Sequence, residues 1–156
     1  MLLAGAPHAA MLHDDGLRTP LRCALQQYPL PVETARCLVA AGPASEALQT
    51  MSESLHMRYD WQAALPLYAD LVAAHTPLAE AEWALVPAPC PGLGAALLAV
   101  LQRSAAQAAR LVAHMPAGDV RRLRTAALCL ARAQRAHDAP LPQPLVWRVL
   151  SLCLAP

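Results

Sequence analysis

Between residues 19 and 42 the apolar positions recur every three or four residues. Leu21, Ala24 and Leu25 come first, and beyond the break Tyr28-Pro29-Leu30-Pro31 follow Val32, Ala35, Leu38 and Val39. This is the spacing of one face of an α-helix. Thr19 and Pro20 stand at a helix start, where the missing proline N–H has no partner to lose, and Gly42 stands where a helix stops. The pattern predicts a helical hairpin. A third helix is predicted from Pro43 or Ser45 to about Met57. In DWQAALPLYADLVAAH, residues 60–75, Trp61, Leu65, Tyr68, Leu71 and Val72 share one face, Asp60 is suited to cap the start, and Pro66 must kink or split the helix. TPLAEAEWALV predicts a short helix behind an N-cap Thr76 and a first-turn Pro77. PAPCPG then breaks the chain, and the alanine-rich run to Met115 reads as one helix or as two meeting near Ser104.

The last segment, GDVRRLRTAALCLARAQRAHDAPLPQPLVWRVLSLCL (118–154), is again helical in period. On a helical wheel Val120, Leu123, Ala127, Leu128, Leu130 and Ala131 fall within one broad face, with Arg121, Arg122, Thr125 and Arg132 off it. Arg124 falls between Val120 and Leu128. A core-facing helix rarely carries a guanidinium there, although a long arginine can snorkel from the edge of an apolar stripe.

Composition narrows the fold class to all-α. The chain has 156 residues, 56% of them hydrophobic, enough for one continuous core. Its apolar content is alanine and leucine, with no phenylalanine, whereas strands favour β-branched and aromatic side chains. Fifteen prolines keep the helices short and mark the turns between them, so a stack of short helical hairpins is expected. Five widely spaced cysteines, without a CxxC pair, argue against structural zinc and against a disulfide framework. No basic segment precedes an apolar run at the start, and no stretch of about 18 apolar residues is uninterrupted. A reduced, intracellular setting is expected, in the cytoplasm or the nucleus.

Charge is divided unevenly. Residues 1–82 hold four arginines and nine acidic residues, a balance of −5, and residues 83–156 hold eight arginines and two acidic residues, a balance of +6. The two halves therefore meet different surroundings. Arg121, Arg122, Arg124, Arg132 and Arg135 could suggest a nucleic-acid interface. They lack interleaved aromatics, glycine-rich loops and zinc-finger spacing, and a solvated helix face is the better reading. The six histidines are scattered, and GxSxG, HExxH and phosphate-binding glycine loops are absent. No catalytic residue, cofactor or metal is expected, nor a membrane or nucleic-acid partner.

Two stretches resemble known modules. DDGLRTPLRCAL with VETARCLVAAGP resembles an ankyrin repeat at Asp14 or Asp15, Gly16, Thr19, Pro20, Leu21, Ala24, Glu33, Leu38 and Gly42, and LLAGA at residues 2–6 resembles the tail of a preceding repeat. It departs by an extra residue between Gly16 and Thr19, by Arg22 where histidine is usual, and by the long turn YPLP. The C-terminal segment resembles a SOCS box, whose first helix carries LxxLCxxxΦ and whose later LPxP leads into another helix.

The resemblance places Val120 and Leu123 at the two leucine positions, Arg124 at the usual cysteine and Leu128 at the terminal apolar position, as the elongin C-binding set. Leu141, Pro142 and Pro144 take the cullin-binding LPxP. Two other registers remain open, one pairing Leu123 with Ala127 and one using Leu128 with Cys129. The register that begins at Val120 is preferred because it leaves a loop of customary length, from 124 to 141.

Ankyrin repeats followed by a SOCS box define the ankyrin repeat and SOCS box family. The resemblance implies partial ankyrin repeats over 1–43, a helical capping region over 44–117 and a SOCS-box-like segment over 118–156, the C-terminal part of a substrate receptor. It implies a non-catalytic adaptor that holds a target protein and recruits elongin B/C and cullin-5 for ubiquitin transfer. A helical scaffold that no longer recruits elongin C is the alternative, and exposure of Val120, Leu123 and Leu128 separates the two.

Overall fold

A computed structural model describes residues 19–55 and 61–154. Nine α-helices and three short 3-10 turns make up the described residues, with no strand among them. The fold is all-α, as the composition requires. Helix α1 (Pro20–Gln26) packs on α2 (Val32–Ala41) and on α3 (Ala44–Leu55), and α4 (Leu65–His75) packs on both α2 and α3. Two hairpins are thereby stacked, α1 and α2 against α3 and α4. Helix α5 (Glu80–Trp83) packs on α3, while the 3-10 turn at 93–96 and α6 (Leu97–Arg103) cover α4. Helix α7 (Ala108–His114) closes this side, and α8 (Ala117–His137) and α9 (Gln143–Leu152) form a last hairpin.

Helix α4 is the centre of the molecule. Leu65, Leu67, Tyr68, Ala69, Leu71 and Val72 are all buried, so its apolar arc covers more than half of its circumference, with Pro66, Asp70, Ala73 and Ala74 on the remaining side. Such a helix is stable only when enclosed, at about 1.5–3 kcal/mol of favourable transfer for each large side chain. Helices α2, α3 and α6 and the turns at 61–64 and 93–96 enclose it. At its edge Asp70 accepts a hydrogen bond from Arg36 of α2 at 2.8 Å, and His75 donates to the Val39 carbonyl at 2.9 Å. Arg103 reaches from α6 to the Ala74 carbonyl. Beside α4, burial pushes the Cys90 thiol up to about 11. Burial, together with Cys90, pushes the Tyr68 phenol up to about 12.

A side-chain clamp holds the loop-rich part. The Gln107 amide oxygen accepts from the Leu78 N–H at 2.8 Å and the Trp83 indole N–H at 3.1 Å, and its nitrogen donates to the Leu78 carbonyl at 2.7 Å. One side chain thus pairs three groups of a segment too short to satisfy itself. Trp83 also stacks at a tilt on His114, with ring centroids 5.2 Å apart. The Cys90 N–H donates to the His114 carbonyl at 2.7 Å.

Several expectations are met and others are revised. Thr19 caps α1 by accepting the Arg22 N–H at 3.2 Å. Pro66 splits its segment, sitting in the first turn of α4 after the 3-10 turn at 61–64. Ser104 separates two helices. Thr76, expected to start a helix, instead ends α4, donating its hydroxyl to the Val72 carbonyl at 2.6 Å. The following helix begins only at Glu80, and Glu82 accepts the Ala79 N–H at its start. The letters TPL therefore open a helix at residue 19 and close one at 76, where the helical Val72 carbonyl four residues back accepts the threonine hydroxyl. Gly42 ends α2 in an extended conformation, φ −87°, rather than a left-handed one. Pro43 imposes that geometry on the residue before it. Gly5, Asp14, Asp15, Gly16, Met57 and Asp60 lie outside the described residues.

Two outcomes follow. Truncating Leu71→Ala in the enclosed α4 lowers stability by about 2–5 kcal/mol in chemical denaturation, whereas Leu128→Ala on the surface changes it by about 0.5 kcal/mol or less. Stability also falls at alkaline pH. Unfolded thiols and phenols ionise near about 8.5 and 10, while the folded protein keeps Cys90 and Tyr68 protonated up to about 11 and about 12. The folded state thus binds more protons through this window, and stability is lost as pH rises through it. Tyr68→Phe flattens the upper part of that decline in denaturation curves measured between pH 8 and 11.

Candidate docking surface

Helix α8 departs from the short-helix rule because Pro116 and Pro140 bracket it and none lies between. Its alanines, leucines, arginines and glutamine are strong helix formers, and Asp119 in the first turn accepts a hydrogen bond from Arg122 at 2.6 Å. Arg135 and His137 lie in the last turn, where positive charge suits the helix dipole. Asp138 then turns the chain in the left-handed conformation, φ 44°, which aspartate tolerates better than most residues.

No residue of α8 or α9 is fully buried. Val120, Leu123, Ala126, Leu130, Ala131 and Gln134 are half-buried, and Val120 and Leu123 pack against the core. Arg124 and Leu128 point to solvent, Leu128 being 58% exposed. The covered face is therefore rotated from the one the wheel suggested. Arg124 interrupts no apolar contact, because the contact face runs through Leu123 and Leu130 while Arg124 and Leu128 share the other side.

The hairpin is joined to the stack at its far end. Helix α9 packs on α6 and on α8, and the buried Leu154 lies against Gly94. A Cβ at residue 94 would stand 3.0 Å from that of Leu154. Glycine is needed there for close approach.

On α9 the residues Leu145, Val149 and Leu152 recur at i, i+4 and i+7 and are exposed, Leu152 to 67%, while Val146, Trp147 and Leu150 on the other side are half-buried. Leu141, in the loop ahead of α9, is also exposed. Pro142 caps the N-terminus of α9 and Pro144 sits in its first turn, both exposed. The hairpin thus displays five large apolar side chains, Leu128, Leu141, Leu145, Val149 and Leu152. An open groove beside it, between α7 and α8, is lined by Ala109, Val112, Met115, Val120, Arg121 and Arg124.

The seven residues singled out from the sequence all lie on this hairpin, but they do not form one surface. Val120 and Leu123 face the stack, Arg124 and Leu128 face solvent, and Leu141, Pro142 and Pro144 sit at the connection. The loop expected from 124 to 141 is instead helix as far as His137, with residues 138–142 as the connection. Loop length therefore no longer favours the register that begins at Val120. Sequence reasoning did not single out Leu145, Val149 and Leu152, whose signal was a helical spacing in a stretch read mainly for its prolines. It also missed Gly94 and Leu154, which meet across 60 residues with no local signature.

Other candidate chemistry is tied into the fold. His75 and His114 each donate to a main-chain carbonyl, Val39 and Arg110 respectively, and His137 is exposed. His8, His13 and His56 lie outside the described residues. No group of three histidine, cysteine or carboxylate side chains suited to a metal ion occurs among the described residues. No described helix is long and apolar enough to cross a membrane. All five cysteines are free, Cys90 buried and Cys37 and Cys129 exposed.

The Gly94 contact predicts a specific failure. Gly94→Val pushes Leu154 out of its seat and loosens α9 and α8 from the stack. Tryptic cleavage within the arginine-rich α8 then accelerates by about tenfold or more, while the far-ultraviolet circular dichroism of the stack is largely kept. Unchanged cleavage would mean that Leu154 does not anchor the hairpin.

No protein-family model, curated protein or solved structure matches this chain.

Proposed function

We propose that the protein is a non-catalytic adaptor, with stacked helical hairpins of ankyrin type presenting a C-terminal SOCS-box-like hairpin. In this reading α8 and α9 recruit elongin B/C and cullin-5 to a ubiquitin ligase, and the stack holds the target protein. The observation that carries it is the uncovered apolar surface of the terminal hairpin, Leu128, Leu141, Leu145, Val149 and Leu152, in a molecule whose other large aliphatic side chains are mostly enclosed. Exposed apolar side chains on an amphipathic helix are the currency of helix-in-groove binding. The pairwise packing of α1 and α2 on α3 and α4 supports the repeat-like part of the reading. The half-burial of Val120 and Leu123 against the core favours the second reading, a helical scaffold that has lost the ligase contact.

Calorimetric titration of the purified chain with elongin B/C separates the two. The adaptor reading predicts binding that Leu128→Asp weakens by at least about tenfold without shifting the melting temperature. Arg124→Cys, which restores the small residue of the SOCS-box pattern, strengthens it. Absence of binding by both the unaltered chain and Arg124→Cys would leave the scaffold reading.

A further inference from the structure

We propose that the solvent face of α8 is a docking surface for an acidic amphipathic helix of a partner protein. Arg121, Arg124, Leu128, Arg132 and Arg135 are all exposed. They fall within an arc of about 80° on the helix, one for nearly every turn, and extend over about 21 Å of its length. The face is a row of four guanidinium groups with one large apolar side chain at its middle.

These arginines differ from most of the other described ones, Arg148 on α9 excepted, in how they are used. Arg22 pairs with Glu53, Arg36 with Glu33 and Asp70, Arg110 with Glu80 and Arg122 with Asp119, and Arg103 bonds the Ala74 carbonyl. Arg121, Arg124 and Arg132 have neither an ion pair nor a hydrogen bond among the described residues, and Arg135 bonds only the Ala131 carbonyl of its own helix. The two acidic residues nearest in sequence, Asp119 and Asp138, flank the row at its ends. Four like charges set on one face repel one another, and a partner carrying carboxylates at the same helical spacing relieves that repulsion while forming bidentate pairs. Leu128 at the centre gives the partner an apolar anchor ringed by charge, the arrangement of a small interface with a dry middle. Bases would need exposed aromatic side chains to stack on, and α8 has none. A bilayer would need more apolar surface than one leucine supplies on this face.

This inference rests on the reading of α8 as a docking helix, though not on the identity of elongin C as its occupant. Fluorescence polarisation with the full chain tests it. The probe is a labelled alanine-based helix of about 18 residues, long enough to hold helical structure, bearing one glutamate per turn around a central leucine. The same peptide with glutamines, a single-stranded oligonucleotide and phosphatidylserine vesicles serve as comparisons. The expected result is saturable binding of the acidic peptide, at least about tenfold weaker for the glutamine peptide and for Arg121→Glu/Arg132→Glu, and severalfold weaker for Leu128→Ala. The melting temperatures of both variants stay unchanged. Absence of peptide binding, indifference to the charge reversal, or tighter binding of the oligonucleotide or the vesicles would overturn the proposal. Elongin B/C binding without peptide binding would overturn this inference and leave the adaptor reading standing; the reverse would do the opposite.

Discussion

Enclosure of α4 is the constraint on which the rest of the structure depends. A helix apolar over more than half of its circumference cannot be covered by a single neighbour, so the chain must supply several. Helices α2, α3 and α6 and the turn at 93–96 all pack against it. The short helices follow from the same need, because the closely spaced prolines let the chain turn back onto α4 repeatedly within a small domain. The polar groups exposed by so many helix ends are then paired by specific side chains, Thr19 and Thr76 at caps and Gln107 across the segment from Leu78 to Trp83.

The last hairpin obeys a different rule. Its helices contribute no fully buried residue of their own, and its seat on the stack is the contact of Leu154 with Gly94 and the half-covered sides of Val120 and Leu123. Its outer surface combines a row of unpaired arginines on α8 with an apolar row on α9. Neither row stabilises the folded chain alone: the arginines repel one another and the leucines remain in water. In the adaptor proposal a partner covers both, which is the physical content of that reading.

Much of the fold was legible because helical period and proline position are local properties. The hairpin of α1 and α2, the split at Pro66 and the break at Ser104 each follow from residues within one or two turns. The direction of a cap is less local: Thr76 has the sequence of a helix start, yet the carbonyl of Val72 is already there to claim its hydroxyl. The orientation of α8 was misjudged for a related reason. A wheel centred on all its apolar residues includes Leu128, whereas tertiary packing selects Val120, Leu123 and Leu130 and turns Leu128 outward. The close approach of Gly94 to Leu154 had no sequence signal, since a glycine in an alanine-rich run reads only as a weak helix former.

Native-state hydrogen exchange tests the contrast between α4 and α8 most directly. The account predicts that amides of α4 exchange only through global unfolding, that those of α8 exchange through openings at least about 2 kcal/mol smaller, and that a bound partner slows α8 selectively. Protection of α8 equal to that of α4 in the free protein would contradict it, because the terminal hairpin would then be part of the core rather than a separately opening surface unit.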